Sequence, residues 1–492
     1  MNGRRHKRSP FEPERIVKYK KILYPENPLR RLSTHVVKIT FFTESYLGER
    51  LVIPWAQVQD IRINNGCSIQ VIEDIEDNIL RTNDIGILTL MIVVDWSKYD
   101  KSINGDINVF LSICPYGQLV IVGRNFDEVE DIRLKVGDPV RYNLQFSLDI
   151  NRATKNYHID YIFGGMGVDL TPKTGNGQVY IHNGIIIESN LIFVYALLMN
   201  VAFTLGDGGY IVSRILVEVY EDGNPKYHGA HYIDGDNTIQ CSYKSSWEPL
   251  TLVHEYGHFV QEILYAEKSI SIPITGDDHE PCDSVESTSN VAWSEGYADS
   301  FSIIMGKVMK MKYATDNKVS QPWDEGQQIS GRYSSLFYDY YACDTSVFER
   351  DEDGNPKQTY IERSLDNDEG RVTAMLYDLY DSNDDSLIKK PSDEIMNKIK
   401  EKYPKILPAW FGVSTGSDSN SGNELTYIEI LVDAIRESNQ ASLQCYIYSL
   451  LNSPNLKSEK KEYVKDIIIY NYGSTFLDQN KLALCASDNQ DD

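Results

Sequence analysis

His254-Glu255-Tyr256-Gly257-His258 constrains this chain more than any other stretch. It is an H-E-x-x-H pattern inside an apolar rhythm of helical spacing: Leu250, Val253, Tyr256, Val260, Ile263 and Leu264. The rhythm predicts a helix, with Ser246 as N-cap and Glu248 and Pro249 in the first turn. On a helix the two imidazoles stand at i and i+4, so both leave one face about a turn apart. That span suits chelation of a tetrahedral zinc ion. Glu255 points about 100° round the helix, where it can meet a metal-bound water without ligating the metal.

A catalytic zinc site needs a third protein ligand and an open position. The metzincin extension H-E-x-x-H-x-x-G-x-x-H fails here, because Gln261 occupies the glycine position and Leu264 the third-histidine position. No histidine follows His279. A glutamate on a second helix fits instead. Glu295 lies 37 positions after His258, in Ser294-Glu295-Gly296-Tyr297-Ala298-Asp299. Val291, Ala292, Ala298, Phe301, Ile304 and Met305 give that segment helical spacing as well. Asp299 is four positions beyond Glu295 and so shares its face. From there it can accept a hydrogen bond from the outer nitrogen of a ligating histidine, His254, and fix its tautomer.

With these two motifs the chain resembles the gluzincin metallopeptidases, the group of thermolysin and fungalysin. The resemblance runs over about residues 175–400. It implies His254, His258 and Glu295 as zinc ligands, Glu255 as general base and acid, and Asp299 as the carboxylate behind a ligand. The implied reaction is hydrolysis of a peptide bond in a protein or peptide substrate. Two departures stand out. The gap between ligands is longer than in thermolysin, which makes 268–290 an inserted loop, and no G-x-M-E-N motif precedes the helix. Thermolysin-like enzymes also use a later histidine against the oxyanion. This chain has none, so a tyrosine or arginine must serve; the candidates are Tyr338, Tyr340, Tyr341, Arg371 and Tyr377, with Tyr341 and Arg371 favoured. Two other functions share these motifs: a catalytically silent zincin-fold binding or adhesion protein, and a zinc hydrolase of a non-peptide substrate.

The rest of the chain sets the frame. Its 492 residues argue for more than one domain. A net charge of −24 disfavours nucleic acids and anionic membranes as partners. Short strand patterns between Val36 and Phe163 predict an antiparallel β-sandwich, with Ile87–Val94 apolar enough for burial on both faces. Within it, Val52–Val58 followed by a T-x-D-x-G turn at Thr82, Asp84 and Gly86 resembles prealbumin-like modules. Gly164–Gly167 reads as a linker, and 191–205 as a buried helix.

The expected organisation is α+β. It comprises a basic leader over 1–34, an accessory sandwich over 35–165 and a zincin-like catalytic domain over 166–492. That domain divides into an upper lobe at about 175–310 and a helical lobe at about 311–486. Acidic pairs such as Asp234/Asp236 and Asp351/Asp353 make Ca2+ a secondary possibility beside the zinc. The seven scattered cysteines form no C-x-x-C pair and leave compartment and pairing open. No apolar run approaches the roughly 18 residues of a membrane span. No signal peptide stands in the chain as given, so it is extracellular if a signal was removed and cytoplasmic otherwise.

Overall fold

The computed structural model describes residues 32–44, 50–64, 67–71, 79–99, 105–123, 141–163, 178–220, 229–272, 288–311, 349–350, 356–357, 369–380 and 425–485, with short breaks inside some of these ranges. The chain divides into two compact units. The first is Met1–Gly229 with Gln240–Trp247; the second is Ala230–Ile239 with Glu248–Asp492.

In the first unit the strands are β1 (Leu32–Glu44), β2 (Arg50–Val52), β3 (Gln57–Ile63), β4 (Ser68–Val71), β5 (Ile87–Asp95), β6 (Ile107–Cys114), β7 (Val120–Gly123), β8 (Tyr142–Leu148), β9 (Asn156–Phe163) and β10 (Gln178–His182). β1 lies at the centre of a sheet ordered β10-β9-β1-β5-β4, with β2 on its end. The sheet is mixed: β1 runs antiparallel to β5 but parallel to β9, and β9 parallel to β10. β3, β6 and β8 form a separate antiparallel sheet. The antiparallel arrangement expected from the strand spacing therefore holds for only part of this region. β9 follows β8 of the other sheet, so the chain crosses over and enters alongside β1 in the same direction.

Alternation explains which faces turn inward. β5 buries Leu88, Leu90, Ile92 and Val94, and β8 buries Tyr142, Leu144, Phe146 and Leu148. The intervening β5 residues are only half-buried, so Ile87–Val94 is not enclosed on both faces. Phe41 of β1 meets Phe146 of β8 at 6.5 Å between ring centroids, and Tyr161 of β9 packs on both. The T-x-D-x-G turn ties this core to the loop after β2. Thr82 is buried, donates to the Ile53 carbonyl and accepts from the Ala56 N–H. Gly86 has φ +72° and would place a Cβ 3.0 Å from both Ile53 N and Phe41 O, so only glycine suits the position.

α1 (Ile186–Asp207) follows, with Leu191–Met199 wholly buried. Its segment Asn190–Asp207 is long and apolar enough to cross a membrane, which corrects the expectation that no such stretch exists. Asn190, Asn200 and Thr204 interrupt the apolar run in the sequence, yet each donates a hydrogen bond inside the protein, while Asn190 Oδ1 has no partner among the described residues. Asn190 donates to Ser246 Oγ, Asn200 to the Val52 carbonyl, and Thr204 to the Asn200 carbonyl. Most of this segment is buried, as in the core helix of a folded domain. Tyr195 donates to the Pro54 carbonyl, and Phe193 stacks on Trp247 at 5.5 Å. The division between units thus falls well beyond residue 165, because β10 joins the β9 sheet and α1 packs beside β1 and β2. The predicted linker at 164–167 lies outside the described residues.

β11 (Ile215–Tyr220) pairs in parallel with β7, and strand order continues to β13 (Thr238–Ser242) and then β12 (Ala230–Ile233).

The second unit is mainly helical: α2 (Pro249–Ala266), α3 (Ser289–Val308), α4 (Glu369–Tyr380), a π-helical turn Glu429–Asp433 running into α5 (Ala434–Glu437), α6 (Leu443–Asn452) and α7 (Ser458–Tyr472). α2 does not start as expected. Its N-cap is Glu248, with Pro249 as the first helical residue, whereas Ser246 sits in a 3-10 turn. The Ser246 hydroxyl is taken by the Tyr243 carbonyl and Asn190, so it is not available to cap. α3 begins on Thr288, whose side chain accepts from Val291 N. Tyr297 of α3 donates to the Leu431 carbonyl and Tyr446 of α6 to the Ile430 carbonyl. These hydroxyls serve two carbonyls within the π turn. A disulfide joins Cys445 and Cys485.

Candidate metal centre

α2 and α3 approach closely because the motif residues at their crossing are small. A Cβ on Gly257 would stand 3.1 Å from Ala298 Cα and 3.1 Å from Phe301 Cβ. On the far side of α3, a Cβ on Gly296 would stand 2.5 Å from Val372 Cβ and 2.7 Å from the Glu369 carbonyl of α4. Thr373 seals that contact by donating to the Gly296 carbonyl at 3.2 Å. The two glycines and Ala298 thus set the depth at which the two helices face one another.

That depth brings His254, His258 and Glu295 together. His254 Nε2 lies 3.1 Å from His258 Nε2, and each lies 3.2 Å from Glu295 Oε2. Donors about 2.05 Å from a tetrahedral zinc stand roughly 3.3 Å apart, so the triangle has the size that such an ion requires. Its chemistry agrees. Two imidazole nitrogens and a carboxylate oxygen converge on one point, an arrangement that a cation satisfies and that the neutral rings alone do not. His254 Nδ1 donates to Asp299 Oδ1 at 2.7 Å, which leaves its Nε2 lone pair on the triangle.

The electrostatics point the same way. Burial by itself would push the His254 pKa down, but Asp299 and Glu295 outweigh it and hold it well above the usual range. Burial works against ionised Glu295 too, yet the two histidines beside it keep its carboxyl well below the usual carboxylate range. A pocket that favours a proton on His254 this strongly favours a divalent cation in its place.

Residues 212–427 match the family description of the Mycolysin C-terminal domain. The match spans both motif helices and supports a thermolysin- or fungalysin-like peptidase context. It covers less than half of the chain. No curated protein matches the chain.

Around the triangle, Glu255 is buried and its Oε2 accepts from the Tyr232 backbone N–H of β12 at 2.7 Å. Burial raises the Glu255 carboxyl above its ordinary range, with the two histidines and the Tyr232 N–H opposing and Glu295 reinforcing. Asp234, in the turn after β12, is also raised, first by burial and then by Glu262. Glu262 of α2 in turn holds the Gly235 N–H with both oxygens, at 3.0 and 3.2 Å.

Of the sequence-predicted residues, His254, Glu255, His258, Glu295 and Asp299 all fall within this one constellation. Tyr341 and the Arg371 side chain lie outside what the structure describes. Among the described residues the single group able to surround an ion is the triangle, and Asp234 with Asp236 does not form a second one for calcium. Asp351 and Asp353 lie outside the described residues.

The sequence reading missed Tyr232, Ser294 and Gln261. Tyr232 acts through its backbone, which no side-chain motif reveals. Ser294 Oγ lies 3.4 Å from His258 Nδ1 and donates to Gln261 Oε1 at 3.1 Å. Gln261 did leave a signal: it is a polar residue between Val260 and Leu264 on the apolar face of α2.

Proposed function

We propose that the protein is a zinc-dependent peptidase, acting as an endopeptidase. The observation that carries this reading is the joint placement of His254, His258 and Glu295 on one ion-sized triangle with buried Glu255 on the same helix. The Mycolysin C-terminal match over 212–427 adds support. His254, His258 and Glu295 would hold the zinc, which when bound polarises the scissile carbonyl and acidifies a water.

The remaining chemistry belongs to the protein. Glu255 takes the proton of the attacking water and returns it to the leaving nitrogen. Tyr232 N–H engages Oε2, so proton handling falls to Oε1. A carboxyl raised by burial is suited to holding that proton during the cycle. Asp299 keeps His254 in the tautomer that turns Nε2 to the metal. A peptide would lie extended against a strand edge. β13 is interior in the strand order and β12 is terminal, so Ala230–Ile233 offers such an edge. The Cys445–Cys485 disulfide favours an oxidising, extracellular setting.

The deciding experiment is metal analysis of wild type and Glu255→Gln, with hydrolysis assayed on unfolded protein substrates. One zinc per chain in both proteins and activity in wild type alone is the expected result. Stoichiometric zinc without hydrolysis of any peptide by wild type would remove the peptidase reading.

A further inference from the structure

The two histidines of the triangle are held by different means. His254 has a carboxylate behind it. His258 has a neutral chain of two groups, Ser294 and Gln261. Gln261 is wholly buried, and its Nε2 has no hydrogen-bond partner among the described residues. A buried amide left half-satisfied is costly, and an apolar residue would fill the same helix position without that cost. Its presence on the apolar face of α2 calls for a reason.

From the polarity of the chain we infer that Gln261 is a positioning residue that sets the tautomer of His258, an inference that rests on the metal-centre reading above. With Oε1 toward Ser294, the serine O–H donates to the amide. Ser294 Oγ then has only lone pairs for His258, so Nδ1 must carry the proton and the Nε2 lone pair faces Glu295 and His254. Turning the amide reverses every step. Nε2–H of Gln261 would donate to Ser294, the serine O–H would donate to His258 Nδ1, and the ring proton would move to Nε2. That proton would point into the triangle and block ligation. One amide orientation therefore decides whether His258 presents a lone pair or a proton 3.1 Å from His254 Nε2. The neutral relay also keeps a second full carboxylate away from the centre.

The test compares Gln261→Met, which keeps the bulk and removes the acceptor, with Gln261→Glu, which keeps an acceptor oxygen. The readouts are 15N imidazole shifts of metal-free protein, zinc affinity by chelator competition and thermal stability. In wild type His258 is expected as the Nδ1–H tautomer. Gln261→Met should move it toward Nε2–H and weaken zinc binding about tenfold, in the range seen when such outer partners are removed. It should not lower the melting temperature, because it deletes a half-satisfied buried amide. Gln261→Glu should keep the Nδ1–H tautomer and retain zinc affinity better than the methionine variant.

A methionine variant with wild-type tautomer and affinity overturns the inference. So does one that loses stability in step with affinity, since that pattern marks a packing role. If wild type takes up no zinc, the metal-centre reading fails by itself, and the metal-free tautomer still judges the relay.

Discussion

Gly257 and Ala298 meet at the point where the two motif helices cross, with 3.1 Å between a Cβ placed on Gly257 and the Ala298 Cα. The contact is backbone against backbone, so neither side can swing away. In an open helix a Gly→Ala change gains about 1 kcal/mol. Here that gain is cancelled by the shift that the neighbour must make. A bulkier Gly257→Val should destabilise the protein by about 1–3 kcal/mol, the usual range for overpacking. It should also weaken zinc binding, because spreading α2 from α3 widens the triangle. Denaturant melts and chelator titration check both effects, and a variant as stable and as tight as wild type would show that the crossing is not what holds the ligands.

Asp299 tests the other support of the triangle. Its 2.7 Å bond to His254 Nδ1 fixes the ring and makes Nε2 more basic. Asp299→Ala should lower zinc affinity roughly 10–100-fold. Asp299→Asn should recover part of that loss, since its carbonyl oxygen still accepts from Nδ1 while the charge is gone. Equal affinities for all three proteins would remove Asp299 from the site.

Glu255 sets the acid limb of activity. The base must be ionised to accept a proton, and burial raises its carboxyl above the ordinary range. Activity should therefore decline on acidification as Glu255 becomes protonated. Rate–pH profiles of zinc-loaded enzyme read this limb directly. Glu255→Gln should retain zinc and lose on the order of 10²–10⁴ in kcat, the usual share of a general base.

The second unit also depends on a covalent tie. Cys445 and Cys485 close a loop spanning 40 positions, which restricts the unfolded chain by about 4 kcal/mol. A Cys445→Ser, Cys485→Ser double variant should lose much of that stability. Wild type should lose more stability under reductant than the double variant does. A reductant effect of equal size in both proteins would place the sensitivity elsewhere.

What the sequence made legible follows from how local each signal is. His254, Glu255 and His258 sit within five residues, so helical geometry alone orients them. Glu295 and Asp299 form a second local unit, and chemistry supplies the link between the two. Gly257, Gly296 and Ala298 look like ordinary small residues until their neighbours are known. The parallel pairing of β1 with β9 joins Val36 to Asn156 across a long stretch of chain, and strand spacing carries no information about direction. α1 escaped notice as a possible span because Asn190, Asn200 and Thr204 break its apolar run, although each donates a hydrogen bond internally. Tyr232 contributes a backbone N–H, which any residue but proline would carry.

Thr426 and Glu429 cap the helical stretch that enters the π turn. Glu429 Oε2 accepts from the Thr426 N–H at 2.7 Å, while Thr426 Oγ1 accepts from the Glu429 N–H at 3.2 Å. This is a reciprocal capping box. Lys460 of α7 adds an ion pair at 2.9 Å to the same carboxylate, which is about a quarter exposed. Burial works to raise the Glu429 pKa, but the Thr426 N–H and Lys460 lower it below the ordinary range. A carboxyl lowered on folding contributes stability that is fully present above its unfolded pKa and is lost as the pH falls through the folded value. Glu429→Gln should thus cost about 1 kcal/mol at neutral pH, the scale of a helix cap. The gap between variant and wild type should close on acidification below the ordinary carboxylate range. Denaturant melts of the two proteins from neutral to acid pH measure that gap, and a gap unchanged across the series would mean that the carboxylate charge contributes nothing to the cap.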